Sequence, residues 1–242
     1  MELTEWIDMG RIRRTEVFVA GAGALGNEVV KDLVLAGFRH ITVADFDTVE
    51  ESNLSRCVLF RESSVGRNKA EALSEHAAEL DPGCTVTPLP YRIQDADLSR
   101  YDLIMGCLDS ISARLHLNAH ARFFRIPYVD GATDGFRGRS QTVFPEGPCL
   151  ECGMNATHLK ALHRTFSCDP GEGPREDPVI LSSGITTTAV VAGICVREAL
   201  KIACGRRDLC SKGVSHYDGI AGTVEVLSLG CRKGCPHHGE GT

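Results

Sequence analysis

The chain contains 242 residues, of which 43% are hydrophobic and 24% are charged. These proportions are typical of a globular protein and exclude a fibrous repeat or a largely disordered chain. Its 26 basic and 32 acidic residues leave a net charge of −6, which argues against nucleic acid and anionic membranes as partners. The acidic N-terminus lacks the form of a signal peptide, and the apolar run at 189–196 is too short to span a bilayer. We therefore expect a cytoplasmic protein.

Short apolar runs alternate with amphipathic helical patterns through the first half of the chain. This alternation is typical of a parallel sheet with helices on both faces. We therefore predict a doubly wound, Rossmann-like α/β fold with a mostly parallel sheet. The predicted strands cover residues 16–20, 41–44, 85–89, 102–106 and 127–130, and the predicted helices cover residues 25–37, 69–80 and 112–124.

The pattern changes after Gly131, where we predict a C-terminal antiparallel extension with strands at 141–144, 213–217 and 223–229 and a long buried helix at 185–203. Residues 167–184 are rich in proline, glycine and acids, which predicts a long exposed loop. No sharp break in composition divides the chain. We therefore expect residues 1–242 to form one domain with two halves, at about 16–130 and 131–242.

Three glycines, Gly21, Gly23 and Gly26, stand between the first predicted strand and the first predicted helix. Glycines at this spacing permit a tight turn and let the backbone approach a phosphate, while the helix N-terminus supplies N–H groups and a favourable dipole. Asp45 ends the second predicted strand, where an acid can accept hydrogen bonds from ribose hydroxyls. The pattern predicts a nucleotide site, and it fits NAD as well as ATP.

Four further motifs follow in order and separate these two nucleotides. They are Asp-x-Asp, Ser-Asn-Leu-x-Arg, Gly-x-x-Lys-Ala and, after the fourth predicted strand, Asp-x(4)-Arg-x(3)-Asn. With this combination, the chain from about residue 16 to residue 239 resembles the ubiquitin-activating enzyme superfamily, which includes the ThiF, MoeB and HesA adenylyltransferases. The polar residues of these motifs are Asp45 and Asp47, Asn53 and Arg56, Lys69, and Asp109, Arg114 and Asn118.

The resemblance implies an enzyme that binds ATP with Mg²⁺ and joins a carboxylate to the α-phosphate. It implies that Asp45 holds the ribose, that Asn53, Arg56 and Lys69 hold the phosphates, and that Asp109 holds the magnesium. These residue types suit the chemistry, because arginine and lysine neutralise phosphate oxygens and a carboxylate is a preferred ligand of Mg²⁺. Of these, Arg56, Lys69 and Asp109 are the expected catalytic residues. The implied nucleotide-binding set is completed by the three glycines, Asp47, Arg114 and Asn118.

Two features depart from the family pattern. Cys57 follows Arg56 where the family usually has glutamine. Family members are usually homodimers and often supply an arginine from a helix before the first strand to the ATP of the partner subunit. The candidates here are Arg11, Arg13 and Arg14, which are alternatively plain surface charges.

The 11 cysteines are an odd number and accompany no secretory signal, so a disulfide framework is not expected. Cys149 and Cys152 form a Cys-x-x-Cys pair, and a second group of soft ligands lies near the C-terminus. Two such knuckles form a tetrahedral Zn²⁺ site when the fold brings them together. We predict a structural zinc site of Cys149, Cys152, Cys235 and His238, with Cys231 or His237 as alternatives for the fourth ligand.

Cys168 stands at the start of the predicted loop. In related enzymes a cysteine in this interval takes the acyl group from the adenylate as a thioester, and the resemblance implies this role for Cys168. The chemistry is reasonable because a thiolate is a strong nucleophile and AMP is a good leaving group. Five other cysteines lie in apolar or helical stretches and are interpreted as core residues: Cys57, Cys84, Cys107, Cys195 and Cys204.

The resemblance therefore implies adenylation of the C-terminal glycine of a small ubiquitin-like protein, followed by transfer to Cys168 and then to a conjugating enzyme. Residues 16–130 would bind the nucleotide, and residues 131–242 would bind the carrier protein. One alternative is activation of a sulfur-carrier protein for thiamin or molybdopterin synthesis, and another is adenylation of a peptide or a tRNA base. A hypothesis of a different class is a non-catalytic nucleotide-binding scaffold or the inactive half of a heterodimer.

Overall fold

The computed structural model describes residues 5–154 and 184–238 of the chain. Within these ranges the chain forms eight β-strands and five α-helices. The strands are β1 (Glu16–Ala20), β2 (His40–Ala44), β3 (Thr85–Leu89), β4 (Leu103–Gly106), β5 (Tyr128–Asp134), β6 (Arg137–Val143), β7 (Gly213–Asp218) and β8 (Thr223–Ser228). The helices are α1 (Met9–Arg14), α2 (Ala24–Leu35), α3 (Lys69–Leu80), α4 (Ile111–Phe123) and α5 (Ile185–Ala203).

The described strands form one sheet in the order β3-β2-β1-β4-β5-β6-β7-β8. The first five strands of this order run parallel, and β6, β7 and β8 pair antiparallel at the end of the sheet. This arrangement confirms the predicted mostly parallel sheet with a C-terminal antiparallel extension. No helix in the described ranges has both the length and the hydrophobicity that crossing a bilayer requires.

The helices pack on both faces of the sheet, because side chains alternate along each buried strand. Val17 and Val19 of β1 belong to a core shared with α1, α2, α3 and α5. Phe18, between them, belongs to the opposite core, which α4 covers with Leu117 and Ala121. β1 is therefore apolar on both faces, as expected for a central parallel strand.

Most predicted elements lie where the sequence places them, and two differences have physical causes. α1 was not predicted; Asp8 caps it by accepting a hydrogen bond from Arg11 N, and Ile12 anchors it in the core. β6 begins at Arg137 rather than at 141. Its first residues are mostly polar and lack an apolar pattern, but they pair with β5 in a hairpin. The predicted loop at 167–184 lies outside the described residues except for its last position.

A buried ion pair joins α4 to β5. Arg114 donates from Nε to Asp130 Oδ1 at 2.9 Å and from Nη2 to Asp130 Oδ2, and Tyr128 donates its hydroxyl to Asp130 Oδ1 at 2.7 Å. Arg114 is 4% exposed and Asp130 is fully buried. A planar guanidinium that forms two parallel hydrogen bonds fixes both distance and orientation. The pair therefore sets how α4 lies on the sheet.

Replacing Asp130 with alanine should destabilise the fold by about 3–5 kcal/mol, because the substitution leaves the Arg114 charge buried without a partner. Urea denaturation monitored by circular dichroism measures this loss. Arg125→Ala is the matched control, since Arg125 pairs with Glu146 on the surface and should cost much less. An Asp130→Ala protein as stable as the control would show that the buried pair does not anchor α4.

Candidate functional site

The glycine-rich turn after β1 depends on very close backbone contacts. Gly21 has a φ of +98°, and a Cβ there would lie 2.6 Å from the carbonyl oxygen of Cys107. A Cβ on Gly26 would lie 2.0 Å from the carbonyl oxygen of Gly21. Both glycines are therefore required by the packing of the turn against α2 and the residue after β4.

Gly23 differs from the other two glycines, because a Cβ there would meet no atom within 4 Å. Gly23 is also the N-cap of α2, and no side chain caps this helix. The first N–H groups of a helix need partners from outside the helix, and they favour an anion. The turn thus presents an open surface with uncapped N–H groups, which is the arrangement that binds a phosphate.

The side chain of Asn27 holds the glycine turn in place from its buried side. The sequence did not predict this role. Asn27 is fully buried and donates from Nδ2 to the carbonyl oxygens of Ala22 and Gly23, at 2.8 and 3.1 Å. Its Oδ1 accepts a hydrogen bond from Leu59 N at 3.0 Å. The only sequence signal was a polar residue directly after Gly26, in the first turn of a helix whose buried side is mostly apolar.

Asp45 connects the glycine turn to the loop after β2. Its Oδ2 accepts from Ala22 N at 2.7 Å, and its Oδ1 accepts from Asp47 N at 2.9 Å. Burial raises the pKa of the Asp45 carboxyl, although the two backbone hydrogen bonds oppose this shift. Each carboxylate oxygen can accept more than one hydrogen bond, so Asp45 retains acceptor capacity for a hydroxyl group.

Lys69 reaches the same loop from the start of α3. Its Nζ lies 3.1 Å from Asp47 Oδ2, and its backbone N–H donates to Asp47 O at 2.8 Å. Asn68, a second residue missed by the sequence analysis, donates to the carbonyl oxygens of Asp45 and Asp47 at 3.0 and 3.1 Å. It also caps α3 by accepting a hydrogen bond from Glu71 N. Asn68 therefore holds the lysine and both acids in register.

Asn53 and Arg56 occupy the loop between Asp47 and α3. Asn53 is buried and accepts a hydrogen bond from Glu50 N at 3.0 Å, which closes a short 3₁₀ turn. Arg56 is half-buried and donates to Ser52 O at 2.8 Å. Contacts of these two side chains with a nucleotide stay a prediction.

Asp109 follows β4 and is exposed. It lies two residues after Cys107, whose backbone N–H donates to Ala20 O at 2.8 Å beside the glycine turn. Asp109 therefore stands at the carboxyl edge of the parallel strands, on the strand adjacent to β1. Ligands of open parallel sheets bind at this edge.

Two residues of the fourth motif lie deeper than the others. The guanidinium of Arg114 is held by Asp130, and Asn118 is fully buried and accepts a hydrogen bond from Leu150 N at 2.9 Å. Within the described residues, both side chains connect α4 to its neighbours. A direct contact of either residue with a nucleotide stays a prediction, and Cys168 lies outside the described residues.

A second site is formed by residues that follow β6 and residues near the C-terminus. The ligand atoms of Cys149, Cys152, Cys235 and His238 all lie within 4.8 Å of one another. Cys149 Sγ is 3.8 Å from Cys152 Sγ and 3.6 Å from Cys235 Sγ. Tetrahedral zinc with Zn–S bonds of about 2.3 Å separates its sulfurs by about 3.8 Å. The four residues form a cluster that can hold a metal ion, and they are the set that the sequence predicted.

The surroundings of the cluster distinguish His238 from the alternative ligands. His237 Nε2 lies 2.9 Å from Glu151 Oε1, and Cys231 is exposed. Arg232 N donates to Cys152 Sγ at 3.3 Å, and Arg122 donates to His237 O at 3.1 Å. Backbone and arginine donors around the cluster therefore fix the C-terminal knuckle against α4 and the residues after β6.

Apart from Cys231 and the three cysteines of the cluster, most of the described cysteines are core residues, as predicted. Burial raises the pKa of the Cys57 and Cys84 thiols to about 11, and that of the Cys195 and Cys210 thiols to about 12. Thiols with such pKa values are protonated at neutral pH and are poor nucleophiles. Cys57, at the position where related sequences usually have glutamine, is 3% exposed and packs in the core.

Comparison with known proteins gives the family. The ThiF family model matches residues 3–237, and the chain belongs to this family. The NEDD8-activating enzyme E1 catalytic subunit of Dictyostelium discoideum is 40% identical over 158 residues, covering 58% of this chain and 36% of that protein. The SAMP-activating enzyme E1 of Haloferax volcanii is 29% identical over 236 residues, covering 96% of this chain and 83% of that protein.

Solved structures confirm the fold. The crystal structure of E. coli MccB with ATP has a TM-score of 0.77 to this chain at 20% sequence identity, covering 96% of this chain and 68% of the MccB chain. The chain spans less than two thirds of the NEDD8-activating relatives that it matches, for example 59% of the Arabidopsis thaliana protein.

Gly26→Ala should mainly reduce the stability of the fold, whereas Gly23→Ala should mainly reduce the binding of nucleotide. Gly26→Ala should lower the free energy of unfolding by about 1–3 kcal/mol, because its Cβ overlaps the Gly21 carbonyl. Gly23→Ala should cost at most about 1 kcal/mol, the difference between glycine and alanine at an N-cap. Its methyl group should instead narrow the open surface and weaken the binding of nucleotide.

Thermal unfolding and fluorescence titration with an ATP analogue measure the two effects on the same preparations. Equal loss of stability in both variants would show that Gly23 is a packing residue like Gly26. Unchanged nucleotide affinity in a folded Gly23→Ala protein would place the phosphates elsewhere.

Proposed function

We propose that this chain binds ATP with Mg²⁺ at the turn formed by residues 21–26 and adenylates the C-terminal glycine of a small ubiquitin-like protein. The observation that supports this most strongly is the convergence of the open Gly23 turn, the Asp45–Asp47–Lys69 network and exposed Asp109 at one edge of the sheet. Membership of the ThiF family and the names of the relatives, which activate NEDD8 and SAMP, support the same reaction.

The nucleoside and the phosphates would be held by different parts of this edge. The remaining acceptor capacity of Asp45 suits the ribose hydroxyls, and the uncapped N–H groups of α2 suit a phosphate. Asn53, Arg56 and Lys69 would hold the polyphosphate. Lys69 is paired with Asp47, so a bound phosphate would compete with Asp47 for the ammonium group.

In the proposed reaction, a carboxylate oxygen of the terminal glycine attacks the α-phosphorus, and the bond from that phosphorus to the bridging oxygen of pyrophosphate breaks. Negative charge develops on the leaving pyrophosphate, and the positive charges of Arg56 and Lys69 would stabilise it. Bound Mg²⁺ would neutralise phosphate charge, and Asp109 is the residue proposed to hold it. Arg114 and Asn118 would act by positioning α4, whose first residue follows Asp109 by two positions.

The acyl group would then pass to a thiol. We assign this role to Cys168: its sulfur attacks the carbonyl carbon of the acyl-adenylate, the bond to the phosphate oxygen breaks, and AMP leaves. The high thiol pKa values of Cys57, Cys84, Cys195 and Cys210 argue against those cysteines as the acceptor. A conjugating enzyme would receive the acyl group from Cys168.

Sulfur-carrier activation is the second candidate function. The chain belongs to the ThiF family, and the resemblance described in the sequence analysis includes adenylyltransferases that activate sulfur carriers for thiamin synthesis. The first step of sulfur-carrier activation is the same adenylation, and only the acceptor of the acyl group differs. The scaffold hypothesis is disfavoured by the presence of Arg56, Lys69 and Asp109. A homodimer in the cytoplasm, with Arg11, Arg13 or Arg14 reaching the partner's ATP, completes the proposal.

We also propose that the four-residue cluster holds a structural Zn²⁺ ion. The fit rests on the sulfur separations of 3.6 and 3.8 Å and on a donor set of three thiolates and one imidazole. Four protein ligands fill a tetrahedral zinc, so this metal would stabilise the fold and take no part in adenylation.

Replacing Asp109 with alanine should reduce ATP–pyrophosphate exchange by about 100-fold or more, because the variant loses the proposed ligand of Mg²⁺. The assay uses ubiquitin-like proteins ending in glycine from the same genome, each compared with a form that lacks the terminal glycine. Asp208→Ala, an exposed acid near the end of α5, should exchange at the wild-type rate. Full exchange by a folded Asp109→Ala protein would refute the assignment.

The same assay separates the two steps. Cys168→Ala should retain exchange but lose the covalent adduct with the carrier, which non-reducing electrophoresis detects. An adduct in the variant that a thiol reagent releases would assign the acceptor to another cysteine. A wild-type protein that exchanges yet forms no adduct would favour sulfur-carrier activation.

Replacing Cys235 with serine should remove the proposed zinc and lower the melting temperature. A loss of about 3 kcal/mol corresponds to roughly 6–12 °C for a domain of this size. Cys231→Ser is the matched control because Cys231 is exposed and outside the cluster. After dialysis against metal-free buffer, which removes weakly bound ions, inductively coupled plasma mass spectrometry should find about one zinc per chain in the wild type and in this control. Zinc retained by Cys235→Ser would contradict the ligand assignment.

A further inference from the structure

Two histidines on α4 lie outside both sites described so far. His116 and His120 are one helical turn apart, half-buried, and stacked with their ring centroids 4.0 Å apart and an angle of 36° between the rings. Residues four apart on a helix share one face, so both imidazoles lie on the same side of α4. Phe124, one turn later, extends this aromatic row at 6.3 Å from His120.

Hydrogen bonding determines which nitrogen of His120 carries the proton. Nδ1 of His120 lies 2.9 Å from the carbonyl oxygen of His116. Since a carbonyl only accepts, Nδ1 is the protonated nitrogen, and Nε2 of the neutral ring carries the lone pair. Histidines that bind metals usually have this arrangement, with one ring N–H donated to a carbonyl or carboxylate.

His116 is also suited to binding as a neutral imidazole. Burial lowers the pKa of His116, and the neighbouring His120 lowers it further. Within the described residues, no carboxylate forms an ion pair with either ring. The two rings lie in contact on one face of the helix, within reach of a single bound ion.

We propose that His116 and His120 together bind a divalent transition-metal ion such as Zn²⁺, Ni²⁺ or Cu²⁺, at a site separate from the Cys149 cluster. Metal–nitrogen bonds of about 2.0–2.1 Å in a tetrahedral ion place the two nitrogens about 3.3 Å apart, which rings in contact can provide. Imidazole ligands select these ions over Mg²⁺ and Ca²⁺. Water completes the coordination, so this site is weaker than a cluster with four protein ligands.

Such a site would connect two consecutive turns of α4. This helix starts two residues after Asp109 and carries Arg114, which is bonded to Asp130 on β5. A metal bound across His116 and His120 therefore stabilises the helix whose N-terminus lies beside the proposed nucleotide site. Metal that binds only the folded state also raises the melting temperature.

The experiment uses the full chain, first given one equivalent of Zn²⁺ to fill the Cys149 cluster, and then titrated with Ni²⁺ in a calorimeter. His116→Gln and His120→Gln should each weaken binding by at least about tenfold, because two ligands on one helix act as a chelate. His40→Gln removes a half-exposed histidine of β2 that is distant in sequence from α4, and it should leave Ni²⁺ binding unchanged. Circular dichroism verifies that each variant is folded.

A measurement on the wild-type protein avoids dependence on the variants. Paramagnetic Ni²⁺ or Cu²⁺ should broaden the ring resonances of His116 and His120 together, at metal concentrations that leave His40 unaffected. Broadening confined to His237 and His238, or unchanged Ni²⁺ affinity in both glutamine variants, would overturn the proposal.

Discussion

The contact between the glycine turn and its neighbours is the constraint on which the rest of the site depends. Backbone atoms of residues 21 and 26 approach so closely that neither position has room for a Cβ, and the turn also touches the carbonyl of Cys107 after β4. This contact fixes α2 against β1 and β4 and aims the N-terminus of α2 at the edge of the sheet. Asp45 and Asp109, which follow the two strands adjacent to β1, consequently flank that helix N-terminus.

Two neutral amides, together with the Asp45 carboxylate, hold the backbone of this edge in shape. Asn27 joins the turn to Leu59, and Asn68 joins the start of α3 to the backbone between Asp45 and Asp47. Because the amides satisfy backbone groups, the charged side chain of Lys69 is bound only by Asp47, and that of Arg56 only by a backbone carbonyl among the described residues. An arrangement of this kind keeps cations available for a polyphosphate while the loops stay ordered.

The sequence predicted the elements whose hydrophobic period is strong, and it predicted the Cys149–Cys152–Cys235–His238 cluster, where residue types and spacing are tied to metal binding. β1, α3, β3 and α5 have the predicted bounds, because each is bounded by clear turn residues or caps. The sequence could not predict that Asn27 and Asn68 hold these loops in place, since they hydrogen-bond to backbone atoms that are distant in sequence. The same holds for the Arg114–Asp130 pair, in which a residue expected near the nucleotide is bonded within the fold. Spacing alone also left three candidates for the fourth metal ligand, which the contact of His237 with Glu151 and the exposure of Cys231 separated.

We propose that the phosphates of ATP lie on the open face of Gly23, between Lys69 and Asp109. A crystal structure of the chain with Mg²⁺ and a non-hydrolysable ATP analogue would test this placement. We expect phosphate oxygens within hydrogen-bond distance of the first N–H groups of α2, with the Lys69 ammonium moved from Asp47 towards the phosphates and the metal on Asp109. A nucleotide bound at another part of the sheet, or one whose phosphates point away from Gly23 and Lys69, would contradict it.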